Sequence, residues 1–254
     1  MQRGAGTLLQ HASNRYSQKG EDGVLEEILR RLEIGGGWFV EFGAWDGKYL
    51  SNTYALLEQG WSGVHIEGDA ERFRDLAATA SASDGRLLAI PAYVAIDGPQ
   101  SLDALLAGTP VPRSFEVLSV DVDSYDYWIW HSLSDYEPKI VVIEINSSIP
   151  LDEYVTPERA ATKPGEVSTG ASFQAMLELG REKGYTLVCH TGNMIFVRDD
   201  LVGRVGLPQH ELDRPELPFV PEPVDRIPPW LRRLTPRRVI RGLARRARLL
   251  GRAS

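Results

Sequence analysis

Trp38–Asp69 reads WFVEFGAWDGKYLSNTYALLEQGWSGVHIEGD, and the order of signals in this stretch decides the fold. WFVEFG, residues 38–43, is a short apolar run closed by glycine, the signature of a buried strand. Glu41, Gly43 and Gly47 then fit E-x-G-x-x-x-G. NTYALLEQG reads as a helix stopped by Gly60, and GVHIEGD, residues 63–69, as the next strand. A glycine at the end of a strand lets the backbone approach a ligand closely, and the helix that follows offers unpaired N–H groups. A tight strand–helix turn would use the same glycines without any ligand.

Working outward, the alternation continues on both sides. EDGVLEEILRRLE places Val24, Leu25, Ile28, Leu29 and Leu32 at helical spacing before Gly35–Gly37. After residue 69 come a helix (AERFRDLAATASAS), a strand in 87–96 ending near Pro91 to Tyr93, and a short helix capped by Ser101. FEVLSVDVD is a fourth strand, YDYWIWHSL a helix, and KIVVIEIN, residues 139–146, a fifth strand. Residues 147–170 are irregular and rich in Pro, Thr and Gly, a length that suits a functional loop or lid. SFQAMLELGREKGY is the last helix of the series, and TLVCH and MIFVRDD form a strand pair around TGN. Strands alternating with helices give a parallel sheet, whereas two strands joined by a few residues run antiparallel. The fold expected is α/β: a three-layer αβα sandwich with a mostly parallel seven-stranded sheet and a terminal antiparallel hairpin, over residues 1–206.

Two groups of residues carry chemistry. Glu67 ends the second strand 24 residues beyond Gly43, near the ~20 expected of an acid that accepts ribose hydroxyls in nucleotide-binding α/β folds. Trp45 stands where a dinucleotide fingerprint has its second glycine, which argues against a pyrophosphate. The second group is LSVDVDSYDY, residues 118–127. Asp121 and Asp123 are two apart at a strand end, and Glu144 and Asn146 repeat that spacing on the fifth strand. Their hard oxygens suit Mg²⁺ or Mn²⁺. Carboxylates that merely orient substrate hydroxyls would look the same. A zinc centre is disfavoured, because the lone Cys189 has only His190 beside it. An EF-hand loop begun at Asp121 would need Gly and Glu where Asp126 and Ser132 stand.

YSQKGEDGVL, FVEFGAWDGKYLSNT, GWSGVHIEGD, VDVDSYDY and GASFQAMLELGREKGYTLVCHTGNMIFVRDDL together span residues 16–201. In order and spacing they resemble class I S-adenosylmethionine-dependent methyltransferases of the FkbM-like and sugar O-methyltransferase group. Mycobacterial enzymes that methylate mannose- or glucose-based polysaccharides are among those it resembles, and the arginine- and alanine-rich style suits an actinobacterial source. The resemblance implies that Glu41 and Gly43 face the methionine part of S-adenosylmethionine and that Gly47 and Asn52 also bind the cofactor. It places Glu67 on the ribose and Ala92 and Tyr93 beside adenine. Gln18, Glu21 and Asp22 would sit above the cofactor, although helix N-terminal charge explains Glu21 and Asp22 equally well. Macrocin-type relatives carry Asp-x-Asp-x-Tyr and then adjacent acids; here Asp121, Asp123 and Tyr125 match, but Glu144 and Asn146 replace the adjacent pair. The reaction implied is methyl transfer to a saccharide or glycoside hydroxyl, with Asp123 as general base, Asp121 beside it and His190 at the rim. His131 reads instead as packed among tryptophans. The competing readings are an Asp-x-Asp nucleotide-sugar glycosyltransferase, which leaves Glu67 and the glycine turn unexplained, and a non-catalytic scaffold docked on a membrane.

The bulk composition agrees with a globular protein: 254 residues, 43% hydrophobic and 25% charged. One cysteine in an apolar run reads as a buried, inert thiol, and the absence of a disulfide framework and of an apolar leader points to the cytoplasm. The charge is uneven. From Arg226 onward there are ten arginines and no acid, so residues 1–225 carry 18 basic and 35 acidic residues, a net −17. So acidic a body disfavours nucleic acid as a partner. Residues 207–236 are proline-rich, and 237–254 form a basic amphipathic stretch with Val239, Ile240, Leu243, Ala247 and Leu250 on one side. That stretch suits an anionic inner membrane face, a homodimer contact or a solubilising tail.

Overall fold

The computed structural model describes residues 8–122, 125–159 and 170–212. They belong to one compact unit, Met1–Leu217; the basic stretch expected at 237–254 lies outside the described residues. Seven strands form one sheet in the order β3-β2-β1-β4-β5-β7-β6. They are β1 (Trp38–Phe42), β2 (Ser62–Glu67), β3 (Leu87–Pro91), β4 (Val117–Val120), β5 (Ile140–Glu144), β6 (Tyr185–His190) and β7 (Asn193–Arg198). The first five are parallel, and β7 runs antiparallel to both β5 and β6. The three-layer sheet architecture expected from the alternation is therefore present, with the hairpin inserted so that β7 is internal.

Helices α1 (Glu21–Leu32), α2 (Tyr54–Glu58), α3 (Ala70–Ser81), α4 (Leu102–Ala107), α5 (Asp126–Ser132) and α6 (Phe173–Glu182) connect the strands. Their starts follow capping chemistry. Asp69 accepts from the N–H groups of Glu71 and Arg72, Ser101 from Ala104, and Ser172 from Ala175. Two short helices, α7 (Asp199–Val205) and α8 (Gln209–Leu212), were not legible beforehand. The final strand stops at Arg198 rather than Asp200, because Asp199 and Asp200 occupy the first turn of α7, where negative charge favours a helix. The fourth strand likewise stops at Val120, one residue before Asp121.

Strand alternation divides the core in two. Val40, Phe42, Val64, Ile66, Leu118, Val120, Val141 and Ile143 face one side, where fully buried Trp130 packs its ring 5.0 Å from Phe196 and 5.7 Å from Tyr185. Burying a side chain of that size contributes about 2–3 kcal/mol. Phe39, Val117, Val142, Ile195 and Val197 face the other side, against Val24, Ile28, Leu32 and Leu76. That second face is interrupted by one polar row. Register sets His65, Glu41 and Ser119 side by side on β2, β1 and β4, between Ala89 and Val142.

Candidate functional site

The carboxyl ends of β1, β2 and β4 converge beneath the loop 43–53. Its backbone is unusual: Gly43, Trp45, Gly47 and Leu50 all have positive φ, at 71°, 53°, 81° and 59°. For Trp45 and Leu50 that conformation costs about 1–2 kcal/mol each, so other contacts must hold it. Trp45 N–H donates to Glu67 Oε2 at 2.9 Å, and its ring lies 4.1 Å from the Arg72 guanidinium and edge-on to Tyr49 at 5.3 Å. Asp46 Oδ1 accepts from the N–H groups of Lys48 and Tyr49, at 2.9 and 2.7 Å. Gly43 is exposed and cannot be anything larger: a Cβ there would stand 1.8 Å from the Asp121 carbonyl oxygen.

Glu41 lies under this loop. Only 4% exposed, it accepts from Ser51 Oγ, Asn52 N–H and Thr53 Oγ1, from Ser119 Oγ at 3.2 Å, and lies 3.2 Å from His65 Nε2. Burial pushes its carboxyl up, but the hydrogen bonds and the partnership with His65 outweigh that, and its pKa lies below the ordinary glutamate value. Glu41, expected to face the cofactor, thus has both oxygens engaged by protein donors. Both its oxygens are spent on the loop, because a buried carboxylate needs every donor in reach.

Glu67 is also buried, yet sits at the rim. Its Oε1 accepts from Asp69 N–H at 2.7 Å and its Oε2 from Trp45 N–H, one bond to each oxygen, which leaves acceptor capacity on both. Beside it Tyr93 is 41% exposed and its ring lies flat over Gly68, where a Cβ would come within 2.2 Å of a ring carbon. Ala92 is nearly buried just before it. Glycine loop, carboxylate and open aromatic ring are therefore adjacent.

The N-terminal segment closes another side. Gln18 is exposed, whereas Glu21 and Asp22 are buried. Glu21 accepts from Lys19 N–H and from Thr191 Oγ1, both at 2.7 Å, tying the segment to the hairpin tip. Asp22 Oδ2 takes the N–H groups of Arg15, Tyr16 and Ser17. Asp22 and Asn52 line a cavity of about 110 Å³ between residues 13–15, α1 and α2. Both acids organise the segment.

At the second group, one step beyond the Val120–Ile143 pair, Asp121 and Glu144 follow on adjacent strands. Asp123 lies outside the described residues. Asn146 Oδ1 accepts from Ser148 N–H and Oγ, so its amide closes a turn. Among the described residues, no three His, Cys, Asp or Glu side chains come together as a metal ion requires. His190 is 4% exposed, as Glu67 is, with its ring 5.4 Å from Phe173. Cys189 is buried beside it and its thiol is pushed up to about 12 by burial, the inert state expected. His131 is exposed rather than packed among tryptophans: its ring stacks on Tyr127 and meets the single Trp128 edge-on. Of the loop 147–170, residues up to 159 lie against α5, where Trp128 Nε1 donates to Pro157 O at 2.7 Å.

Sequence reasoning missed His65, Ser51, Thr53, Ser119 and Gly68. His65 was findable: in GVHIE it is a polar residue at a core-facing parity, two before Glu67.

No family model and no curated protein matches the chain. Solved structures do resemble it at low identity. An S-adenosylmethionine-dependent methyltransferase from Aquifex aeolicus is 11% identical over 68% of this chain and 86% of its own, with a TM-score of 0.39. The [4+2]-cyclase SpnF is 12% identical over 80% and 71%, with a TM-score of 0.42. A conserved hypothetical protein of Streptococcus pyogenes is 11% identical over 66% and 89%, with a TM-score of 0.38. At these values the chemistry has to be argued from the residues.

Proposed function

We propose that the chain is an S-adenosylmethionine-dependent O-methyltransferase acting on a saccharide or glycoside hydroxyl. The observation that carries this reading is the juxtaposition of the positive-φ glycine loop, Glu67 and the open Tyr93 ring at the carboxyl edge of β1 and β2. A nucleoside needs those three things: a carboxylate for its ribose hydroxyls, an aromatic face for its base, and a backbone close enough for the chain attached to the sugar. The pyrophosphate of a dinucleotide would need a small residue where Trp45 is held, so a ligand without one fits better.

S-adenosylmethionine would be held there by loop 43–53, Glu67 and Tyr93, and would supply an electrophilic methyl group for the acceptor oxygen. The chain's task is to align the acceptor and remove its proton. Asp123 is assigned as the base that takes the hydroxyl proton. Asp121 and Glu144, half-buried at the edge, would accept hydrogen bonds from neighbouring hydroxyls. Tyr154, Pro157 and Arg159, which touch α5 at Tyr127 and Trp128, would wall that side; the part of the loop expected to close over the acceptor, 160–169, lies outside the described residues. A Mg²⁺ or Mn²⁺ ion would need Asp123 beside Asp121 and Glu144. The described donors alone do not fit one.

What disfavours a glycosyltransferase is that the Asp-x-Asp group would have to work while the Glu67 site stayed empty. Among the described residues no helix is long and apolar enough to cross a membrane; contact of residues 237–254 with an anionic bilayer, and a homodimer, belong to the proposal. The test is transfer of a labelled methyl group from S-adenosylmethionine to a panel of oligosaccharides. Wild type should label at least one glycan, and Asp123→Asn should lose ~100-fold or more in kcat while still binding S-adenosylhomocysteine. Full turnover by Asp123→Asn would remove the base assignment.

A further inference from the structure

The row His65–Glu41–Ser119 interrupts an apolar sheet face, and it lies directly beneath loop 43–53. His65 is fully buried, so its ring is held in one place. Its Nε2 lies 2.9 Å from Thr53 Oγ1 and 3.2 Å from Glu41 Oε2. Because the Thr53 hydroxyl gives its proton to Glu41 at 2.7 Å, the Thr53 oxygen has only lone pairs to offer, and Nε2 must be the donor. The other nitrogen, Nδ1, is buried without a hydrogen-bond partner and lies under Gly47, where a Cβ would stand 3.1 Å from it. One imidazole thus touches both the middle of the loop and, through Glu41 and Thr53, its last turn.

A leucine or phenylalanine would fill this position on an ordinary buried strand. An imidazole here leaves a nitrogen orphaned, and what it returns is a donor aimed at the carboxylate that gathers Ser51, Asn52 and Thr53. We propose that His65 is a positioning residue: its Nε2–H locks Glu41 and Thr53 and thereby holds loop 43–53 in the shape that receives the cofactor. This rests on the cofactor reading above. His65 itself touches no ligand; it acts through the loop.

The experiment titrates S-adenosylhomocysteine calorimetrically into wild type, His65→Gln, His65→Asn and His65→Leu, with thermal melting of each. Glutamine carries an amide N–H to about the reach of Nε2, and asparagine does not. The expected result is a Kd within about threefold of wild type for Gln, and at least tenfold weaker for Asn and Leu, without the losses following the order of the melting temperatures. Equal affinities in Gln and Asn, or affinity that simply tracks melting temperature, would overturn the proposal. If Leu fails to fold, the Gln and Asn pair decides. If wild type itself binds no S-adenosylhomocysteine, the cofactor reading falls; if wild type binds and all variants bind equally, only the role of His65 falls.

Discussion

Glu41 on β1 and His65 on β2 stand opposite each other in register, with Nε2 3.2 Å from the carboxylate and both side chains buried. Glu41→Gln keeps one acceptor oxygen but turns the other into an amide NH₂, so the donors on that oxygen, two on Oε1 or three on Oε2, face another donor. Glu41→Gln is therefore expected to destabilise the fold by about 2–4 kcal/mol, measured by urea denaturation at pH 7. The sign with pH follows from the lowered pKa. Stability from Glu41 is fully present above the unfolded value of 4.5 and is lost as pH falls through the depressed folded value. The gap between wild type and Glu41→Gln should thus narrow in acid. A gap that widens below pH 4.5 would contradict the assignment.

Gly43 and Gly85 separate strain from collision. Both have positive φ, 71° and 76°, but Gly85 faces open space while Gly43 faces the Asp121 carbonyl. Gly85→Ala should cost about 1 kcal/mol. Gly43→Ala should cost several times more and abolish cofactor binding, because the loop must move away from β4. Comparable losses in the two variants would show that the close approach is unimportant.

Tyr93 offers the opposite profile. Its ring is 41% exposed and rests on Gly68, so it carries little of the fold. Tyr93→Ala should leave the melting temperature within a degree or two and weaken S-adenosylhomocysteine by roughly 3–10-fold, the worth of one aromatic stacking contact. Isothermal titration decides. Unchanged affinity would remove the adenine from this position.

The legible parts of this protein were those set by local pattern. The glycine-bounded runs at 38–43 and 63–69 and the short TGN link between β6 and β7 dictate strand type and direction, and they led to the correct sheet. What local pattern does not record is how a carboxylate's lone pairs are used. Glu41 and Glu67 look alike in sequence, each near a strand end. The structure spends Glu41 on five partners and Glu67 on two. That difference arises from Ser119 and His65, 78 and 24 residues away from Glu41 in the chain. Burial is hidden from local pattern in the same way: His190, beside a hairpin turn, pairs with Met194 and packs its ring 5.4 Å from Phe173.

The central claim is that the edge of β1 and β2 is a nucleoside site for a methyl donor. One calorimetric comparison tests it most directly: S-adenosylhomocysteine against a UDP- or GDP-sugar, each titrated into wild type and Glu67→Ala. The account predicts one-to-one binding of S-adenosylhomocysteine to wild type, its loss in Glu67→Ala, and no binding of the nucleotide-sugar. Binding of the nucleotide-sugar without S-adenosylhomocysteine, or S-adenosylhomocysteine binding indifferent to Glu67, would contradict it.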